Sequence, residues 1–164
     1  MQNGLDRFVE TLEAYASQVP PGWRGSARFV SRVGEEFAFI RLRDLWRPWR
    51  FLRQMAGAPP IRFGVEGFNP DLVDDANPVR HYVAFVVTGF WLPRPLATWV
   101  LYSWELLGFV RYRGYWSPRD MACGRIGITH GAQVRKRGPG VLAGMVRRDL
   151  SSSPVADVSG ETFG

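Results

Sequence analysis

Apolar residues recur at three- and four-residue spacing at Leu5, Phe8, Val9, Leu12 and Tyr15. That period predicts an amphipathic first helix, which stops before Pro20-Pro21-Gly22. A second helical region is expected from about residue 27 to 55, with Gly34 and Pro48 as the places where it breaks, and Gly57-Ala58-Pro59-Pro60 ends it. Residues 61–65 (Ile-Arg-Phe-Gly-Val) alternate like a short strand or an extended connector. Two later helix starts are legible: Asn77-Pro78 reads as an N-cap with proline in the first turn, and Ser117-Pro118 repeats the device with Asp120 as the capping-box acid. Pro93-Arg94-Pro95 turns the chain between them, and Gly138-Pro139-Gly140 introduces a short helix over 141–150. Residues 110–115 alternate too, so a strand there stands as an alternative.

These elements predict an all-α fold: one bundle of roughly six helices over residues 1–150, with at most a short strand or hairpin. The helices near 78–93, 96–110 and 118–134 form its centre, the first two as a helical hairpin. The small, polar segment 151–164 is expected to be a disordered tail.

From Tyr82 to Val110 the chain runs 29 residues with only two charges, Arg94 and Glu105. A spanning helix needs about twenty mainly apolar residues. Pro93-Arg94-Pro95 divides this run into pieces too short for that. The pair suits the buried hairpin of a soluble bundle, or a hairpin lying at a membrane with Trp91, Trp99 and Trp104 near the headgroups.

Length and composition change the picture little. The 164 residues are 46% hydrophobic and 22% charged, which suits one globular domain and excludes a disordered chain. The aromatic share of 14% is high, as in cores, ligand pockets and bilayer interfaces alike. Net charge is +6, and Lys136 is the sole Lys among 21 basic residues. A basic surface attracts anionic substrates or polyanions. The densest cluster places Arg43, Arg47, Arg50 and Arg53 along one stripe, with Leu42, Leu45, Trp49 and Leu52 opposite. Such an Arg/Trp helix suits a polyanion, a partner protein or a membrane surface, and equally a helix packed on the core.

The candidate chemistry lies on the central helices. If Asn77 caps its helix, His81, Ala84 and Thr88 share a face, with Arg80 one position around. On the next helix Thr98, Tyr102 and Glu105 fall together. On the third Asp120, Gly124, Gly127 and Gly131 do, with Cys123 and His130 at the border. Glycines at that spacing let a second helix approach closely. The economical arrangement sets Arg80 or His81 against Glu105, with Asp120 nearby.

Such a cluster serves either as a buried pair that fixes packing or as a catalytic site. In the catalytic reading Glu105 is a general acid whose proton affinity is raised by its apolar setting, His81 is base or orienter, and Arg80 binds an anion. A glycoside-cleaving version needs a second carboxylate, for which Asp74, Asp75 and Asp120 are candidates.

No cofactor or metal is expected: His81, Glu105, Cys123 and His130 lack ligand spacing, and no glycine fingerprint for phosphate is present. One cysteine, Cys123, excludes an intrachain disulfide and reads as a small core residue. The charged N-terminus lacks the apolar run of a secretory signal, so the expected location is cytoplasmic, with a membrane-peripheral one as alternative. The leading functional expectation is a small hydrolase acting on an anionic substrate. The alternatives are a non-catalytic interaction module working through its Arg/Trp helix, and a peripheral membrane protein.

Overall fold

A computed structural model describes residues 2–44, 47, 49–50, 59–73, 76–111 and 117–152, apart from the side chains of 107–111. Among the described residues the chain forms six α-helices and no strand: α1 (Gly4–Ser17), α2 (Trp23–Phe37), α3 (Pro78–Trp91), α4 (Arg94–Arg111), α5 (Pro118–Arg137) and α6 (Val141–Asp149). Three-residue 3-10 turns at Leu42–Asp44 and Pro70–Leu72 interrupt the connection between α2 and α3. The expected all-α bundle is the fold. None of its described helices is long and apolar enough to cross a membrane.

Helix α1 begins where the Asn3 side chain accepts the Asp6 N–H at 2.8 Å, and it buries Leu5, Phe8, Val9 and Leu12. Helix α2 buries Phe29, Val30, Val33 and Phe37 at the same helical spacing. Its end differs from expectation. Gly34 lies inside the helix against Val87, and its carbonyl accepts both the Ala38 and Ile40 N–H groups (3.2 and 2.9 Å). The chain leaves the helix at Phe39, whose φ of 60° lies in the left-handed region. The Arg/Trp helix expected next lies partly outside the described residues, Arg53 included. Arg43, Arg47 and Arg50 are exposed, but Trp49, expected on the inward face, is 82% exposed as well.

The segment 61–65 is an extended connector rather than a strand, and buried Phe63 carries its packing. The Phe63 ring meets Phe8 at 5.2 Å and Phe37 at 5.1 Å, and Phe8 also meets Tyr82 edge-on at 6.1 Å. Past α6, Ser151 bridges Phe68, and the Ser152 N–H donates to the Gly67 carbonyl at 3.0 Å. Residues 112–116, where a strand was the alternative, lie outside the description, as do 153–164 of the expected tail.

The tightest contact is between α3 and α5, and glycine makes it. A β-carbon at Gly89 would stand 2.2 Å from the Ile128 carbonyl oxygen; at Gly131 it would stand 2.1 Å from that of Val86, and at Gly127 2.7 Å from that of Tyr82. The two backbones therefore touch with no side chain between them, as the glycine face of α5 led us to expect. This seam fixes His81 on α3 relative to Asp120 on α5.

Helix α4 packs over the outside of the pair. Its inward positions are Ala97, Leu101 and Glu105, at i, i+4 and i+8, and the first two are fully buried against a cluster with Phe85, Met121 and Ile128. The expected stripe of Thr98, Tyr102 and Glu105 is thus rotated: Tyr102 is 43% exposed, and its hydroxyl accepts a hydrogen bond from Arg125 at 2.8 Å. The outward face carries Leu96, Trp99 and Leu106, all more than half exposed. Glu105 is thus buried beside Ala97 and Leu101, while Leu96, Trp99 and Leu106 are left on the outside.

Candidate functional site

His81 enters the site from the first turn of α3. Pro78 starts this helix with its fixed φ, and the Asn77 carbonyl accepts the Arg80 N–H at 3.1 Å. Asp120 sits in the first turn of α5, where its N–H donates to the Ser117 hydroxyl at 3.1 Å. Glu105 comes from the inward face of α4 and is only 8% exposed, whereas His81 and Asp120 are half-buried. One side-chain donor atom from each of the three lies within 4.8 Å of the other two. The two helix starts and the glycine seam set His81 against Asp120, and the inward face of α4 brings Glu105 to them.

His81 is also tied to the main chain. Its Nε2 lies 2.9 Å from the Asp120 carbonyl oxygen. A carbonyl only accepts, so Nε2 carries the proton, and in the neutral ring Nδ1 is the nitrogen with the lone pair. The Phe85 ring, 4.9 Å away between centroids, packs on the imidazole. Arg80, half-buried, adjoins His81 on α3. Of the three candidate second carboxylates, Asp120 is beside Glu105; Asp74 and Asp75 lie outside the described residues.

A second polar chain runs through the core, and the sequence did not reveal it. Tyr82 Oη lies 2.7 Å from His130 Nδ1, and His130 Nε2 lies 2.8 Å from Asp149 Oδ2. The carboxylate fixes the tautomer: Nε2–H donates to Asp149, and Nδ1 accepts the tyrosine O–H. Arg148 closes the chain with two bonds of 2.7 Å to Asp149. Burial pushes the Tyr82 phenol well above its ordinary range. Burial also lowers His130, even though the neighbouring Asp149 pulls the other way. The Arg148 hydrogen bond, foremost, holds Asp149 below its ordinary value. The pair is thus a neutral imidazole bonded to a carboxylate rather than two charges.

That chain rules on two weaker ideas. Both His130 nitrogens are engaged, so His130 is no metal ligand and no base for Cys123. Cys123 is 2% exposed, a small core residue as expected. The open hollow of about 450 Å³ on α2, lined by Ala27, Arg28, Ser31, Arg32, Glu35 and Glu36, shares no residue with the His81 cluster. Of the Arg stripe, Arg43 is drawn to Glu35 at 3.6 Å, beside Arg41 at 2.8 Å. Comparison with known protein families, curated proteins and solved structures finds no match to this chain.

Proposed function

We propose that this chain is a small hydrolase with His81, Glu105 and Asp120 at its reaction centre, acting on an anionic substrate. The observation that carries the reading is the approach of one imidazole and two carboxylates to within 4.8 Å, from three helices, at the border between core and surface. In this reading Glu105 gives its proton to the leaving oxygen as water adds to the electrophilic centre. His81 Nδ1 takes the proton that the water loses, and the Asp120 carboxylate stabilises the imidazolium. Return of that proton to Glu105 restores the site, so one water is consumed and both products leave complete. Arg80 and the net charge of +6 favour an anion, and exposed Arg47 and Arg50 extend that attraction.

The test is turnover of anionic phosphodiesters, carboxylic esters and glycosides by the wild-type chain and by Glu105→Gln and His81→Gln. Loss of turnover with unchanged thermal melting supports the reading. Turnover unaffected by either change, or none in the wild type, overturns it.

A second reading, peripheral contact with a lipid surface, is favoured by one observation: Leu96, Trp99 and Leu106 on the outer face of α4 are 52%, 68% and 57% exposed, with exposed Trp91 nearby in sequence. Flotation with anionic vesicles tests it. Wild-type protein should float with them and Trp99→Glu should stay behind; wild-type protein that remains with the buffer sinks the idea. Either function is compatible with a cytoplasmic location.

A further inference from the structure

The same three side chains make a donor set that acid–base chemistry alone does not require. We propose that His81, Glu105 and Asp120 bind one divalent transition-metal ion, Zn2+ or Mn2+, through one imidazole nitrogen and two carboxylate oxygens. An imidazole beside two carboxylates suits these ions better than Ca2+, which prefers six or more oxygens. An ion held about 2.1 Å from each donor sets tetrahedral neighbours about 3.4 Å apart. One nitrogen of His81 and one oxygen of each carboxylate already lie within 4.8 Å of one another, and side-chain rotations that turn Nδ1 toward the two carboxylates would close the set.

The surroundings fit this use in two further respects. Imidazoles that bind metals almost always donate their other N–H to a carbonyl or carboxylate, which fixes the ring and strengthens its lone pair. His81 does so, to the carbonyl of Asp120, so one donor residue orients another. Two of the three donors are half-buried rather than sealed, and among the described residues these three ligands leave a coordination position for water. Metal motifs are read from short spacings, and these ligands are separated by 24 and then 15 residues on three helices. That distance along the chain is why sequence spacing argued against a metal.

The inference deepens the hydrolytic reading and rests on it for the use of the site, though not for the binding itself. With an ion bound, the imidazole serves as a ligand, and the ion rather than the ring lowers the proton affinity of the water. The experiment is calorimetric titration of the chelator-stripped, full-length chain with ZnCl2 and with MnCl2, alongside thermal melts. One site per chain is expected, weakened at least tenfold in Glu105→Gln and in Asp120→Asn. Asp120→Asn is isosteric and keeps both main-chain bonds of that residue, and its thermal melt separates lost binding from lost fold even if the buried Glu105 change perturbs packing. Absence of binding below millimolar concentration, or binding indifferent to Asp120→Asn, overturns the proposal. Turnover is scored separately. Metal binding without hydrolysis removes the hydrolase reading alone, and hydrolysis unaffected by chelator together with no binding removes the metal alone.

Discussion

Tyr82 on α3 donates its hydroxyl proton to His130 on α5 across 2.7 Å, in a place where neither group meets water. The bond is the inner end of a chain that reaches the surface through Asp149 and Arg148, and it ties α6 to the central pair of helices.

Tyr82→Phe removes that donor and leaves His130 Nδ1 buried without it. A loss of about 1–3 kcal/mol is expected from a buried acceptor deprived of its partner. Urea denaturation measures it. A change under half a kcal/mol would mean that water or a rotated ring replaces the hydroxyl.

The same chain gives the fold a pH dependence with a definite sign. Desolvation holds folded His130 below its ordinary 6.5, so the unfolded chain takes up the proton first. Its contribution is whole above pH 6.5 and is lost as pH falls through the folded value. Asp149, held below its ordinary 3.8 chiefly by Arg148, adds a second loss at more acidic pH. The urea midpoint should therefore fall between pH 7.5 and pH 5, and His130→Gln should flatten that fall. An unchanged slope in the variant would assign it to other groups.

Glycine at the α3–α5 contact can be tested against glycine elsewhere. Gly131→Ala drives a methyl into the Val86 carbonyl and should cost about 3 kcal/mol. Gly144→Ala, on an open stretch of α6, should gain up to about 1 kcal/mol from helix propensity. Comparable effects at the two positions would mean that the helices separate easily.

Ser117 caps the helix that delivers Asp120. Ser117→Ala should cost about 1 kcal/mol in stability. Because the lost bond holds the main chain of Asp120, the proposed Zn2+ or Mn2+ binding should weaken too, whereas an exposed change at the far end of α5 should leave it intact. Calorimetry on Ser117→Ala beside an exposed control such as Arg137→Ala checks this.

Much of the site was legible because first-turn prolines, and at α5 the Ser117 cap, fix helix register; the Asn77 side chain, read as a cap, makes no capping bond at the start of α3. Asn77-Pro78 and Ser117-Pro118 set the starts of α3 and α5 to the residue, so the positions of His81 and Asp120 followed. The glycine face of α5 foretold the close packing that joins them. Helix α4 was harder to read, because Trp, Leu and Val occur all around it and no period picks the inward side. Its rotation became visible only with Ala97 and Leu101 buried and Trp99 outside. The end of α2 escaped for another reason: a phenylalanine at φ 60° gives no local signal, whereas Gly34 gives a false one. The Tyr82–His130–Asp149 chain joins residues 48 and 19 positions apart, which no spacing rule can find.

The glycine contact also governs how this protein can drift. Most core sites tolerate exchange among Leu, Ile, Val and Met, since one side chain can swell as another shrinks. Where two backbones meet directly there is nothing to shrink, so the separation of α3 and α5 is a constant of peptide geometry. The spacing of His81 from Asp120 inherits that constancy. Extensive repacking elsewhere would leave those two side chains in register, while one added methyl group at Gly89 or Gly131 would pull them apart.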